Sequence, residues 1–218
     1  MDAVLFDLYD TLVWSEWPLL RERLAEAIGR STRDVMRGFV ETRDARGVGA
    51  FGSAEGDIAA VLRAAGGSPT DEQIRALTEL ETRALADGGI HLYDDTLPVL
   101  RELRARGMPT GIVSNCDHWT RPVVDSLGLE NEVDAVVLSF EVGVLKPDPA
   151  IYGLALDRMG AVPATTTFVD DQPVYLDGAA GLGMRALQIV RPTDPNVPPV
   201  GRYPVVEDLW EVAGGRPG

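Results

Sequence analysis

The chain has 218 residues, 45% of them hydrophobic, which is enough for one large or two modest domains with a buried core. Its net charge of −14 argues against nucleic acid or an anionic membrane as a partner, because both bind basic surfaces. There is no apolar run near the ~20 residues of a membrane-spanning helix and no signal-peptide pattern. With Cys116 as its single cysteine, we expect a cytoplasmic protein in a reducing compartment.

The N-terminal stretch predicts a buried strand that ends in an acidic residue. Four apolar residues at positions 3–6 lead directly into Asp7, as in a strand that is buried on both faces of a parallel sheet. Ligands of open α/β sheets bind outside the carboxyl ends of the strands, so Asp7 is a candidate functional residue. A helix N-cap is the alternative role for a single aspartate here.

Residues 15–89 predict helices throughout. Apolar residues recur at helical spacing in four groups, and Ser31 precedes the second group as a predicted N-cap. The third group follows Ser53. The fourth group begins near Thr70. No strand pattern occurs in this region, which therefore predicts a helical block inserted after the first strand.

From residue 90 onward, strand and helix patterns alternate. The predicted strands cover residues 110–113, 133–138, 165–169 and, as the last, 185–190, and the predicted helices between them cover residues 94–106, 119–127 and 148–160. This alternation predicts a parallel sheet with right-handed crossovers. Five prolines between residues 191 and 204 predict an extended surface segment before a short helix at 207–212.

Four motifs carry polar residues at or after apolar runs. They read F-D-L-Y-D-T-L at 6–12, V-S-N at 113–115, G-V-L-K-P-D-P-A-I-Y at 143–152 and F-V-D-D-Q-P at 168–173. In this order and spacing they resemble the haloacid dehalogenase (HAD) superfamily over nearly the whole chain. The resemblance implies an α/β fold, with a Rossmann-like parallel-sheet core formed by 1–14 and 90–218 and an α-helical cap domain at 15–89. It also implies an aspartate nucleophile, usually Mg²⁺, and most often phosphatase activity.

The motifs place five catalytic candidates. Asp7 is the candidate nucleophile, which would form a covalent intermediate that water later opens. Lys146, the only lysine among 20 basic residues, would neutralise charge on the nucleophile and on the transferred group. Ser114 resembles the residue whose hydroxyl binds a substrate oxygen, with support from Asn115, and Thr11 would fix the nucleophile loop. The alternatives are an ordinary turn at 114–115 and an N-cap or turn role for Thr11.

Asp170 and Asp171 indicate a metal site together with Asp7. Acids that face one another across neighbouring strand ends repel each other unless a cation lies between them. Mg²⁺ prefers oxygen ligands and retains several waters, so these carboxylates and the backbone carbonyl of Tyr9 are its predicted ligands. A surface acid pair without a ligand is the alternative.

Two positions depart from the commonest pattern of the superfamily. Tyr9 stands where most of its phosphatases have an aspartate that protonates the leaving alcohol, and the loss of such a group typically costs about 10² to 10⁴ in rate. A tyrosine here resembles the 2-haloacid dehalogenases, whose halide leaves without protonation. At the positions that match 170–172, however, the pattern of those metal-free enzymes is Ser-Ser-Asn, whereas this chain has Asp-Asp-Gln. Tyr175 replaces a common Asp or Asn, which weakens the support of the metal site.

The leading hypothesis is therefore an enzyme, a Mg²⁺-dependent phosphatase that acts on a small phosphorylated metabolite through an aspartyl-phosphate intermediate. The alternatives are a 2-haloacid dehalogenase-like hydrolase and a catalytically weak ligand-binding protein. The expected partner is a small anionic molecule, and the sequence carries no signal for an oligomeric state.

Six further residues have predicted surroundings. Four arginines of the second predicted helix, namely Arg33, Arg37, Arg43 and Arg46, could meet a substrate anion, but a solvated helix face is the expected role. His118 is expected in a surface loop, and Cys116 is expected to be packed rather than reactive.

Overall fold

The computed structural model describes residues 2–15, 18–84, 89–191, 199 and 201–216, which contain a parallel sheet, a small antiparallel ribbon and flanking helices. The strands are β1 (Ala3–Phe6), β2 (Val13–Ser15), β3 (Ile90–Leu92), β4 (Thr110–Ser114), β5 (Ala135–Leu138), β6 (Thr166–Asp170), β7 (Arg185–Ile189) and β8 (Val205–Val206). Six of them form a parallel sheet in the order β5-β4-β1-β6-β7-β8. The other two, β2 and β3, pair antiparallel.

The helices fall into two groups along the chain. The first group, between β2 and β3, consists of α1 (Pro18–Ala27), α2 (Thr32–Gly47), α3 (Ala54–Ala64) and α4 (Asp71–Ala84), and we call it the four-helix segment. The second group consists of α5 (Thr96–Ala105), α6 (Thr120–Ser126), α7 (Ser139–Val142), α8 (Pro149–Met159), α9 (Pro173–Gly181) and α10 (Leu209–Val212). None of the helices in the described ranges is long and apolar enough to cross a membrane.

Strand β1 lies in the middle of the sheet and is buried on both faces. Val4 and Phe6 pack into one hydrophobic cluster, and Ala3 and Leu5 pack into another, as expected when successive side chains alternate across a strand. This double burial explains why the first motif begins with an uninterrupted apolar run. The predicted α/β fold with a parallel sheet is confirmed.

The four-helix segment has an apolar cluster of its own, in which Leu24, Val35 and Ile58 are buried. The predicted N-cap is confirmed, because the Ser31 hydroxyl accepts a hydrogen bond from the Asp34 amide. Ser53 caps the next helix in the same way, since its hydroxyl accepts a hydrogen bond from the Gly56 amide. Local capping therefore sets where these helices begin.

Four features differ from the sequence predictions. The ribbon of β2 and β3 was not predicted, because strands of three residues are too short for a pattern, and Ser15 belongs to a strand rather than to the helical region. The 185–190 strand is not the last, since two-residue β8 pairs beside it. Helix α9, which begins at the last residue of the fourth motif, was also not predicted.

The predicted surface segment at 191–204 begins with a buried residue. Arg191 is buried because its guanidinium forms two hydrogen bonds with the carboxylate of Asp95, and it also donates to the carbonyl of Thr11. Residues 192–198 lie outside the described residues.

Glu81 is a buried acid of α4, and its Oε2 has no hydrogen-bond partner among the described residues. Burial, together with repulsion from Asp117, raises the pKa of this carboxyl to about 9. The folded protein therefore holds a proton that the unfolded chain loses above about pH 4.5. Between these two pH values the free energy of unfolding falls as pH rises, because the folded state binds more protons than the unfolded state.

We predict that Glu81→Gln removes this pH-dependent penalty. The gain in unfolding free energy over wild type should be at least about 1 kcal/mol larger at pH 8 than at pH 5, since one pKa unit corresponds to about 1.4 kcal/mol. Urea denaturation at both pH values measures it. Glu79→Gln, an exposed change on the same helix, serves as the control and should show no such difference. An equal gain at both pH values would contradict the prediction.

Candidate active site

The carboxyl ends of β1, β4 and β6 bring three of the predicted residues to one edge of the sheet. Asp7 follows β1, and Ser114 and Asp170 end β4 and β6. Register explains the convergence, because β1 pairs directly with both neighbouring strands. We call this edge the acidic edge.

Lys146 lies between two carboxylates of the acidic edge. Its Nζ is 2.7 Å from Asp7 Oδ1 and 2.6 Å from Asp170 Oδ2, and its side chain is fully buried. Burial alone lowers the pKa of Lys146, but the two carboxylates more than offset this, so the pKa is raised and the ammonium stays charged. A fixed positive charge is therefore held beside the candidate nucleophile.

The backbone of Lys146 is held by Asn115. The side-chain Oδ1 of Asn115 accepts from the Lys146 amide at 2.7 Å, and its Nδ2 donates to the Lys146 carbonyl at 2.8 Å. The sequence predicted that Asn115 supports Ser114, but its side chain instead binds the backbone of Lys146.

Three buried carboxylates converge at the acidic edge. Oxygen atoms of Asp7, Asp170 and Asp171 all lie within 4.8 Å of one another. Burial raises the pKa of Asp171, and repulsion from Asp7 and Asp170 raises it further. Burial also raises the pKa of Asp170 against the opposing effect of Lys146. A hard cation fits this oxygen-donor set, because it would remove the repulsion. The carbonyl of Tyr9 stays a predicted ligand.

The hydroxyls of Thr11 and Ser114 are buried, and neither has a hydrogen-bond partner in the described part of the chain. A buried polar atom without a partner is costly, so such atoms call for a ligand or water as partner. The observation also argues against an N-cap or turn hydrogen bond for the Thr11 hydroxyl, whose residue is held through its carbonyl by Arg191.

The hydroxyl of Tyr9 lies 3.1 Å from the Oγ1 of Thr120. Burial raises the pKa of this phenol above its usual value, and the hydrogen bond with Thr120 only partly offsets the effect. Tyr9 therefore remains protonated and is a weak acid.

A cavity of about 710 Å³ lies between the four-helix segment and the sheet. Tyr9, Lys146, Arg43 and Tyr175 are among its lining residues. The Arg43 guanidinium donates to the Tyr175 hydroxyl at 3.0 Å, so the unusual Tyr175 connects α9 to α2.

The expectation that the arginines of α2 lie on a solvated face is correct for only some of them. Arg33 and Arg37 are exposed, and Arg37 pairs with Asp34 on the same helix. Arg46 is buried and forms an ion pair with Asp117, which contradicts the expectation for this residue. The helical spacing gave no sign that Asp117, which lies in the loop after β4, would face Arg46.

His118 and Cys116 follow the second motif. His118 lies in a loop as expected, but its side chain is only partly exposed, and its Nδ1 is 2.8 Å from the Oδ2 of the buried Asp57. Cys116 is packed as expected, and burial raises the pKa of its thiol to about 12, which keeps it protonated and unreactive.

Sequence reasoning missed the buried Arg191–Asp95 pair. Both residues lie outside the motifs, and no local pattern indicates that residues 96 positions apart would meet. Asp95 also accepts from the Leu209 amide. The pair thereby joins the loop of Thr11 to the C-terminal elements.

The structure is an α/β fold whose buried acids gather at the carboxyl ends of a parallel sheet, where folds of this class bind their ligands. The family model for haloacid dehalogenase-like hydrolases matches residues 1–183, and the chain belongs to this family of hydrolases.

Relatives include both phosphatases and dehalogenases. A phosphoserine phosphatase of Thermus thermophilus is 32% identical over 195 residues, which cover 86% of this chain and 76% of the relative. An (S)-2-haloacid dehalogenase of Pseudomonas fluorescens is 34% identical over 110 residues, 49% of this chain and 48% of the relative. The structure of a HAD phosphatase from Thermococcus onnurineus shares the fold, with a TM-score of 0.72, 24% identity and coverage of 99% of both chains.

We predict that Asp171→Asn stabilises the protein in EDTA and removes its stabilisation by Mg²⁺. The substitution lowers the repulsion at the acidic edge, but it also removes a ligand charge. Thermal unfolding with EDTA and with MgCl₂ measures both effects, and wild type should gain about 2.7 kcal/mol at a hundredfold excess over Kd.

Asp157→Asn on α8 is the matched control, because it removes an exposed acid from another element. It should leave the Mg²⁺-induced shift unchanged. If MgCl₂ does not change the unfolding temperature of the wild-type protein, the metal site is ruled out.

Proposed function

We propose that the protein is a Mg²⁺-dependent phosphatase that acts on a small phosphorylated metabolite through an aspartyl-phosphate intermediate. The observation that carries the proposal is the third carboxylate, Asp171, buried within 4.8 Å of the other two. A metal-free enzyme for an anionic substrate would gain nothing from that charge, which repels both its neighbours and the substrate.

Asp7 is the proposed nucleophile. One of its carboxylate oxygens bonds to phosphorus as the bond from phosphorus to the leaving oxygen breaks, and water then attacks phosphorus and frees the carboxylate. Bound Mg²⁺ would neutralise charge on the transferred phosphoryl group. Asp7, Asp170, Asp171 and the carbonyl of Tyr9 are its proposed ligands.

Lys146 and Ser114 are the proposed phosphoryl-binding groups. The ammonium 2.7 Å from Asp7 Oδ1 opposes the negative charge that develops on the transferred group. The buried hydroxyl of Ser114 is available to donate to a phosphoryl oxygen. Thr11 would fix the loop that carries the nucleophile, and Asn115 would fix Lys146.

Tyr9 restricts which leaving groups the proposed enzyme can release. A phenol with a raised pKa protonates a departing alkoxide poorly, so the chain lacks the usual acid at this position. We infer that the preferred phosphate has a leaving group that departs as a stable anion.

The four-helix segment is the proposed cap, with residues 15–89 as cap and residues 1–14 and 90–218 as core. The cavity between them has room for a small metabolite, and Arg43 on α2 faces it. Arg43 and Lys146 would offer positive charge to a small anionic substrate in an otherwise strongly acidic protein.

A 2-haloacid dehalogenase is the second candidate. Tyr9 favours it, because halide leaves without a proton, and so does the similarity of half the chain to an (S)-2-haloacid dehalogenase. The buried Asp171 argues against it.

We predict that wild type hydrolyses p-nitrophenyl phosphate only with Mg²⁺, and that Asp7→Asn lowers kcat by at least about 10³ because the amide is no nucleophile. Phosphate and chloride release are assayed with p-nitrophenyl phosphate and 2-chloropropionate, each with Mg²⁺ or EDTA. Chloride release that is unaffected by EDTA would contradict the phosphatase proposal and support the dehalogenase.

We predict further that Tyr9→Asp raises kcat for phosphoserine, whose alkoxide needs a proton, by about 10² or more, with little gain for p-nitrophenyl phosphate. Tyr9→Phe is the control for loss of the phenol and should bring no such gain. Equal effects of Tyr9→Asp on both substrates would show that the missing acid does not limit the rate.

A further inference from the structure

The loop between β4 and α6, taken together with the first residue of α6, contacts the acidic edge at both of its ends. We call these residues, 115–120, the linking loop. At its start, Asn115 binds both backbone groups of Lys146. At its end, the Thr120 hydroxyl pairs with the hydroxyl of Tyr9. Any displacement of the linking loop would therefore reach two residues of the site.

The middle of the linking loop contacts α2 through Asp117. This carboxylate is paired with Arg46, whose guanidinium also donates to the Thr42 hydroxyl and to the Phe39 carbonyl. Arg46 is thus fixed to its own helix on one side and to the linking loop on the other. Both partners are largely buried, so loss of either one would leave an uncompensated buried charge.

The next two residues contact the rest of the four-helix segment. The backbone amide and Nδ1 of His118 both lie within hydrogen-bond distance of Asp57 Oδ2 on α3, at 3.3 and 2.8 Å. Trp119 is buried and packs into the apolar cluster of the four-helix segment, although it comes from the core part of the chain. Two polar contacts and one apolar anchor therefore connect the loop to these helices.

A close backbone approach reinforces the same junction. Gly49, just after α2, has a φ of +69°, and a Cβ there would lie 2.4 Å from the carbonyl oxygen of Phe140 at α7. Only glycine fits both the conformation and the space.

We propose that Asp117 and His118 are positioning residues that hold the four-helix segment over the acidic edge and couple its placement to Lys146 through Asn115. The segment is thereby fixed by buried charge pairs rather than left to swing freely above the cavity. The expected effect on kinetics rests on the proposed function, because measuring it needs a hydrolytic assay. The attachment of the four-helix segment does not depend on that function.

Hydrogen exchange on the full chain tests the fixing. Asp117→Asn should speed exchange of the α2 and α3 amides at least about tenfold while leaving β1 and β6 unchanged, because a buried ion pair loses one partner. Asp57→Asn should act in the same way on α3, and it keeps the test available if Asp117→Asn does not fold. Unchanged exchange in α2 and α3 would overturn the inference.

A double variant separates pairing from general damage. Arg46→Gln combined with Asp117→Asn leaves no unpaired charge, so exchange in α2 should be slower than in Asp117→Asn alone. Additive losses would contradict the proposed pair. Glu132→Gln removes an acid that pairs with Arg101 elsewhere, and this control should resemble wild type.

Kinetics provide a readout that a purely structural role would not change. With p-nitrophenyl phosphate and Mg²⁺, Asp117→Asn should raise KM several-fold and lower kcat less, whereas mere loss of folded protein lowers kcat at constant KM. An unchanged KM would contradict the coupling. If wild type hydrolyses no phosphate, the proposed function fails and the exchange result alone decides the inference.

Discussion

The buried ammonium of Lys146 between Asp7 and Asp170 is the interaction on which the acidic edge depends. Without it, carboxylates at two neighbouring strand ends would face each other in a site from which water is largely excluded. Asn115 binds the backbone of Lys146 on both sides, so the ammonium is held in a fixed position. A preformed charge of this kind opposes developing negative charge without reorganisation during the reaction.

The same site carries more negative charge than one lysine balances. Asp171 adds a third carboxylate, and the raised pKa values at this edge express the cost of burying it. Such a cost is typical of a functional site, because the folded chain alone would be more stable with fewer acids. A divalent cation and an anionic substrate together would satisfy the arrangement, as the proposed phosphate chemistry requires.

The sequence predicted the parallel sheet, the helical block and the convergence of Asp7, Ser114 and Asp170, because strand-end residues need only the strand pattern to be placed. It failed where position depends on distant partners. Arg46 and His118 looked like solvated residues, yet each is paired with an acid about 60 to 70 positions away. Arg191 lies among prolines that suggested a surface segment, and only the folded chain brings Asp95 to it. Short elements such as β8 depend on pairing and carry no periodic signal of their own.

The most direct test of the account is to follow solvent oxygen through the reaction in ¹⁸O-enriched water. Water that attacks an aspartyl phosphate at phosphorus delivers its oxygen to phosphate, whereas water that opens an alkyl ester of aspartate attacks the carboxyl carbon and leaves its oxygen in the enzyme. Mass spectrometry of released phosphate and of the peptide that contains Asp7 measures both. With p-nitrophenyl phosphate and Mg²⁺, the account predicts labelled phosphate and an unlabelled Asp7 peptide. Label in Asp7 after turnover of 2-chloropropionate, with no turnover of the phosphate, would contradict it.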